Sequence, residues 1–378
     1  MMRGISRCFL LGAAAFSLVV CSLAGAGVDC GGTHQGHTIE GAIGLVTKYD
    51  SNIELRPGVK TRDLTDAFIH EPQARLSVNR SIGDRGWLDA EVFGLANWHL
   101  EHQRKNWYFG VANLALDYNL GKSQLSFSND FRNYTIPQAD TVGFVRNTGM
   151  LTYKRALSPF WKLNLGYENV ATYYPENSAL NYVVNGVLVE VRNTWSSTFS
   201  SYYSYDFQHY HGSYNAEFAD PVSSPEKGFR HTFKIGFDWV LNRNSLSGSY
   251  FIQTDDSSGE GLNQIGGFEG NEESLDLEAE FNYLKHKGTL LYARRFTARL
   301  TLSSYQEFVL KDLSKRNSPT TGPRDQDDAL LLSSEYLKFK LYNHWFLKSH
   351  YLLRMKRSTL KAEDYRDHML SIGAECRF

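Results

Sequence analysis

Residues 370–378 read LSIGAECRF. Leu370, Ile372, Ala374, Cys376 and Phe378 alternate there with Ser371, Gly373, Glu375 and Arg377. Strict alternation of apolar and polar side chains is the period of a β-strand with one face toward a nonpolar medium and the other toward water. The strand stops on an aromatic residue, so its apolar face runs to the last position of the chain.

Working outward, the same period recurs along the sequence. Residues 87–100 set Leu88, Ala90, Val92, Ala96 and Trp98 against Asp89, Glu91, Asn97 and His99. Residues 229–241 set Phe229, Phe233, Ile235, Phe237 and Trp239 against Arg230, Thr232, Lys234 and Asp238. Leu163, Leu165 and Tyr167 oppose Lys162, Asn164 and Glu168, and Leu275, Leu277, Ala279, Phe281 and Tyr283 oppose Asp276, Glu278 and Glu280. No segment of helical period competes with these strands. Of the 378 residues, 14% are Phe, Trp or Tyr, yet the net charge is −1 and the mean hydropathy −0.40. Aromatic enrichment without bulk hydrophobicity fits strands that meet lipid with every second residue. In a bilayer an open sheet would leave edge N–H and C=O groups unpaired, so such strands must close into a barrel. The competing reading, a soluble β-sandwich, would need two domains at this length, and no linker or composition break divides the chain.

Connection lengths alternate as well. Short turn signals fall at 83–86, 120–122, 158–159, 194–196, 242–244 and 343–344. Long polar stretches lie between them near 51–66, 101–106, 135–145, 175–186, 211–228, 256–271, 311–328 and 357–366. Eight long loops imply an all-β, antiparallel, up-and-down transmembrane barrel of about sixteen strands, within a range of about fourteen to eighteen. Residues 285–297 resist this scheme, being too long for a simple turn and too basic for a lipid-facing strand. At the other end, Arg3 and Arg7 precede an apolar run from Phe9 to Leu23 and a small-residue site at Ala24-Gly25-Ala26. Residues 1–26 therefore read as a secretory signal, 27–37 as a short periplasmic segment and 38–378 as the barrel.

Taken together, these features resemble the Gram-negative outer-membrane β-barrels of porin-like type. The resemblance implies a place in the cell outer membrane, contact with outer-membrane lipid and both termini in the periplasm. It also implies that Phe378, with Gly373 five residues before it, forms a signal that docks on the barrel-assembly machinery by strand pairing. Cys376 departs from that signal, which carries a large apolar or aromatic side chain at its position. Tyr49-Asp50-Ser51-Asn52-Ile53 is similar to the opening strand of barrels attached to export systems, among them surface-lipoprotein assembly modifiers and polysaccharide-export proteins. The short stretch before the first strand leaves out the helical-repeat domain that often accompanies those families.

A barrel of this width encloses water and not a side-chain core. By strand parity, Asp276, Glu278 and Glu280 line it from one strand, and Lys338, Lys340, Lys348, His350 and Arg354 from two later ones. Opposed acidic and basic arcs would set up a transverse field, as at a porin constriction; the alternative is that these charges simply pair across neighbouring strands. The function read from this is a passive channel for small hydrophilic solutes or ions. A barrel in an export or electron-conduit complex, fed by a periplasmic partner, is the second reading, and a homo-trimer stays open.

Other chemistry is thinly supported. His211-Gly212-Ser213, with Asn215 nearby, has the His–Ser spacing of outer-membrane lipid hydrolases, but it opens a polar loop and the rest of such a motif is missing, so no enzyme is expected. Cys30, His34 and His37 read as a flexible tail and not as a metal site. Cys30 and Cys376 are the cysteines left after signal removal, and in the oxidising periplasm a disulfide between them would fasten the N-terminal segment at the closure seam. With no CxxCH, Walker or Rossmann pattern and no basic run, neither a cofactor nor a nucleic-acid partner is expected.

Overall fold

The computed structural model describes residues 37–50, 67–100, 106–135, 143–175, 181–212, 227–258, 284–312, 317–318, 322–323, 327–342, 344–359 and 365–378. Their strands are β1 (His37–Asp50), β2 (Ala67–Ile82), β3 (Gly86–His99), β4 (Trp107–Asn119), β5 (Ser123–Thr135), β6 (Phe144–Ala156), β7 (Trp161–Tyr173), β8 (Tyr182–Thr194), β9 (Phe199–Gly212) and β10 (Lys227–Leu241). They continue with β11 (Asn244–Ser258), β12 (Leu284–Arg295), β13 (Leu300–Asp312), β14 (Asn317–Ser318), β15 (Gly322–Pro323), β16 (Asp327–Tyr342), β17 (Trp345–Ser358) and β18 (Tyr365–Arg377). All except β14 and β15, which pair only with each other, form one closed barrel of sixteen antiparallel strands in which each pairs with its sequence neighbours. Closure leaves no sheet edge, the condition a bilayer imposes on β-structure.

The seam runs between β1 and β18, from Ala42 opposite Arg377 to Asp50 opposite Met369. Gly41 and Phe378 exchange backbone hydrogen bonds of 2.8 and 2.9 Å beyond it. The Phe378 ring lies over Gly41 so closely that a Cβ there would sit 2.2 Å from Cε2. At Gly373 a Cβ would meet the Val46 side chain at 2.7 Å. Both glycines therefore let first and last strands pack flush.

The connections at one end of the barrel are tight, and this is called the turn end; the opposite, loop end carries the longer connections. Between β10 and β11 the turn is made at Asn242, whose φ of 53° suits a tight hairpin. Three other turns share a different device. Ser158 Oγ accepts hydrogen bonds from Phe160 N and Trp161 N, Ser196 Oγ from Thr198 N and Phe199 N, and Thr297 Oγ1 from Arg299 N and Leu300 N, all between 3.0 and 3.2 Å. A hydroxyl captures two backbone N–H groups in each, beside Pro159 in the first turn and in place of the usual glycine or proline in the other two.

That device corrects one expectation. Residues 285–297 fit no strand by composition, but Leu284–Arg295 is β12, pairing with β11 and β13, and the chain reverses after it at 296–299. Its basic residues are accommodated because alternation turns Lys285 and Lys287 to the barrel interior, where Lys287 meets Glu307 at 2.9 Å. The loop expected at 175–186 is also shorter, since β8 begins at Tyr182. The strand expected around Leu275–Tyr283 and the signal segment lie outside the described residues.

Along most of the barrel, apolar side chains take the outward positions and polar ones the inward positions. On the outer wall Val92, Leu114, Leu165, Tyr203, Phe233 and Ile372 are exposed, while their sequence neighbours point into the barrel. An apolar outer wall around a polar, charged inner wall is the distribution of a bilayer-spanning barrel and the inverse of a water-soluble protein.

Candidate functional site

The inner wall is the surface on which function has to be sought, and its two halves differ. Toward the loop end the charges are buried and matched. Lys48 donates to Glu71 at 2.7 Å, Lys356 meets Asp328 at 2.8 Å, and Arg230 meets Asp255 at 3.2 Å. Arg354 Nε donates to Asp367 at 2.8 Å and its guanidinium lies 3.6 Å from Asp50, tying β17 to both β18 and β1. The Asp367, Asp255 and Glu307 side chains are 0% exposed. Carboxylates this far from water are held by their cations, and each pair spans adjacent strands at directly opposed or diagonal positions.

Toward the turn end the wall is more open and richer in cations. Phe346 on β17 points inward with Lys338 Nζ 4.5 Å, Lys340 Nζ 6.0 Å and the Arg377 guanidinium 4.7 Å from its ring centre. The face of an aromatic ring carries negative potential, so one apolar side chain gathers three cations. Lys348 and Arg377 share the Glu375 carboxylate, the latter at 2.7 Å. Among the described residues Lys338 and Lys340 have no carboxylate partner. A recess of about 600 Å³ opens here, lined by Arg75, Phe93, Phe346, Lys348, Glu375 and Arg377 among others. Across the barrel the same half holds Arg192 with Asp238 at 2.8 Å and Glu190 with Asn164 at 2.8 Å.

The inner wall is not polar throughout. Val309, Leu330, Leu332, Leu352 and Met369 have inward parity yet form a buried apolar cluster with Tyr305 and Tyr365 against it. A second cluster near the loop end joins Phe109, Tyr134, Phe144 and Tyr174. Tyr174 lies just beyond β7, its backbone N donating to Asn181 Oδ1 at 2.7 Å, and burial pushes its phenol up to about 12.

Of the residues singled out from sequence, Lys338, Lys340, Lys348, His350 and Arg354 all have inward parity. The structure separates them by role: Arg354 is locked to Asp367 and Asp50, His350 Nε2 bonds Ser334 Oγ at 2.8 Å, and the three lysines gather near Phe346 and Glu375. Asp276, Glu278 and Glu280 lie outside the described residues, as do Cys30, His34, Ser213 and Asn215. His211 is the penultimate residue of β9 and has outward parity, opposite Val183 and Lys227. Cys376 faces outward at the turn end, opposite Ile43 and Trp345. Sequence reasoning missed Phe346 and Glu375. The signal available for Phe346 was an aromatic residue at an inward position of an otherwise basic strand.

No protein-family model matches the sequence, and no curated protein matches it. Solved structures do resemble the fold. Pseudomonas aeruginosa OpdO aligns over 90% of this chain and 97% of its own with a TM-score of 0.52 at 13% identity. Acinetobacter baumannii OccAB3 aligns over 90% and 99% with a TM-score of 0.49 at 9% identity. A bacterial polysaccharide outer-membrane secretin aligns over 89% and 97% with a TM-score of 0.45 at 8% identity. The chain thus has the architecture of Gram-negative outer-membrane β-barrels.

Proposed function

We propose that this protein is a porin-like channel of the outer membrane that passes small hydrophilic solutes or ions through the barrel. The observation that supports this best is the closed sixteen-strand barrel whose inner wall carries ion pairs and cations while its outer wall is apolar. Barrels this wide leave an aqueous interior, and conduction asks only for polar groups that bind weakly and at several sites. In this reading the turn end, where β1 begins and β18 ends, faces the periplasm and the longer connections face outward. The cations around Phe346 form one arc of the conduction path. Glu190 and Asp238 on the far wall supply the opposing acids, and the field between the arcs orients dipolar solutes. Phe378 and Gly373 carry the assembly signal.

Planar-bilayer recording of the purified chain tests the proposal. A steady, large conductance from the chain alone is expected. A silent barrel that conducts only after addition of a periplasmic partner would overturn it in favour of an export or conduit role.

A further inference from the structure

One patch of the outer wall breaks the parity rule. On β13 and β16, Ser304, Gln306, Ser333 and Glu335 hold the outward positions, in line with the exposed Phe308, Leu331 and Leu337. They sit near the middle of their strands, Leu300–Asp312 and Asp327–Tyr342, and so at the depth of the hydrocarbon core. Ser304 Oγ donates to Glu335 Oε1 at 2.8 Å. Gln306 Nε2 reaches Glu335 Oε1 and Ser333 Oγ at 2.9 Å and Ser304 Oγ at 3.3 Å. Glu335 Oε2 and Gln306 Oε1 take no hydrogen bond from the described residues. Acyl chains offer no donor, so an open carboxyl and amide oxygen at this depth are costly against lipid.

We propose that this patch is the contact surface for a second copy of the same chain, related by a two-fold axis. The inference rests on the bilayer-spanning reading above, because only lipid makes the patch anomalous. A two-fold contact joins a surface to itself, so that surface must carry its own complement. This one does: the Ser333 hydroxyl, which accepts from Gln306 within the patch, has its own O–H left to donate and stands beside the open acceptor oxygens of Glu335 and Gln306. Small serine side chains let two barrel walls approach closely, which is how polar contacts between membrane segments form. Around the polar centre Phe308, Leu331, Leu337 and Tyr351 are exposed and would pack against their counterparts, excluding lipid from the hydrogen bonds.

The experiment takes the full chain from a Gram-negative outer membrane into nanodiscs of the host lipid and counts copies by native mass spectrometry. Wild type is expected to give two copies per disc. The Gln306→Leu/Glu335→Leu double variant restores the apolar outer wall, so it should remain a heat-modifiable barrel with unchanged single-channel conductance. Its self-dissociation constant should rise at least about tenfold, leaving mostly one copy per disc. Wild type inserted and conducting as a single copy would overturn this proposal alone. A double variant that stays paired, a three-copy assembly, or a complex with a different chain through this face would overturn it too. A chain that fails to insert would overturn both this proposal and the channel reading.

Discussion

The loop-end and turn-end halves of the inner wall are built from the same residue types, yet they handle charge in opposite ways. Near the loop end Arg354 sits between Asp367 and Asp50, and Lys287 meets a Glu307 side chain that water does not reach. Near the turn end Lys338 and Lys340 are arranged around the Phe346 ring, and the Arg377 side chain is 49% exposed. Buried pairs are costly to break and contribute structure; half-exposed cations cost little to alter and, in the channel reading, are the ones placed to act on passing solutes. The difference shows that inward parity does not by itself mark a functional residue. Burial separates the charges that hold the wall from those that stay open to the barrel interior.

The largest effect should come from breaking a loop-end pair. Asp367→Ala leaves Arg354 facing Asp50 at 3.6 Å and should lower barrel stability by about 3–5 kcal/mol. Urea unfolding in lipid vesicles, followed by tryptophan fluorescence, measures this. Glu375→Gln is the matched change at the turn end. There Arg377 is half-exposed, although Lys348 is only 18% exposed, and the amide can still accept from both, so the loss should be smaller, about 1–2 kcal/mol. Equal losses from the two variants would erase the distinction between the halves.

Transport should respond in the reverse order. Lys338→Glu combined with Lys340→Glu reverses two cations that carry no carboxylate partner among the described residues, with a stability change of about 0.5 kcal/mol or less. The reversal potential under a salt gradient should move toward cation preference, because the sign of fixed charge along the path sets the local ion concentration. Conservative replacement of the same pair by arginine should leave the potential near wild type. An unmoved potential in the Lys338→Glu/Lys340→Glu variant would remove these residues from the conduction path.

The sequence made the barrel legible through residues such as Leu370 to Phe378, because a two-residue period needs no knowledge of neighbours. It also made the tight turn at Asn242 legible, where a residue tolerant of positive φ stands between alternating runs. The turn after β12 was illegible by the usual glycine and proline signals, since Thr297 performs it with a hydroxyl. Ser158 and Ser196 use the same device, so a search for Ser or Thr behind a large apolar residue would have found it. The site was less legible than the fold. Arg354 and Lys338 look alike along the chain, and what separates them is Asp367 on β18 beside the first and Phe346 on β17 beside the second. Partnership across strands depends on register, which alternation leaves free. The runs around Leu330 to Leu332 and Leu352 to Leu353 are apolar at both parities, so period alone does not show that an apolar cluster lines part of the interior.

The smallest expected effect tests whether the loop-end half is as sealed as its ion pairs imply. Tyr174 stands at the end of β7 among Phe109, Tyr134 and Phe144, and its phenol is raised from 10.0 to about 12 by burial. A folded state that holds this proton more tightly than the unfolded chain gains stability that is complete below the ordinary phenol value. That stability is lost as pH rises through about 12. Tyr174→Phe keeps the ring and removes the proton. Wild type should therefore lose more stability than the variant between pH 10.0 and about 12, while the two stay parallel near neutrality. Parallel alkaline curves would mean that water reaches Tyr174, and the contrast between a closed loop end and an open turn end would have to be drawn lower in the barrel.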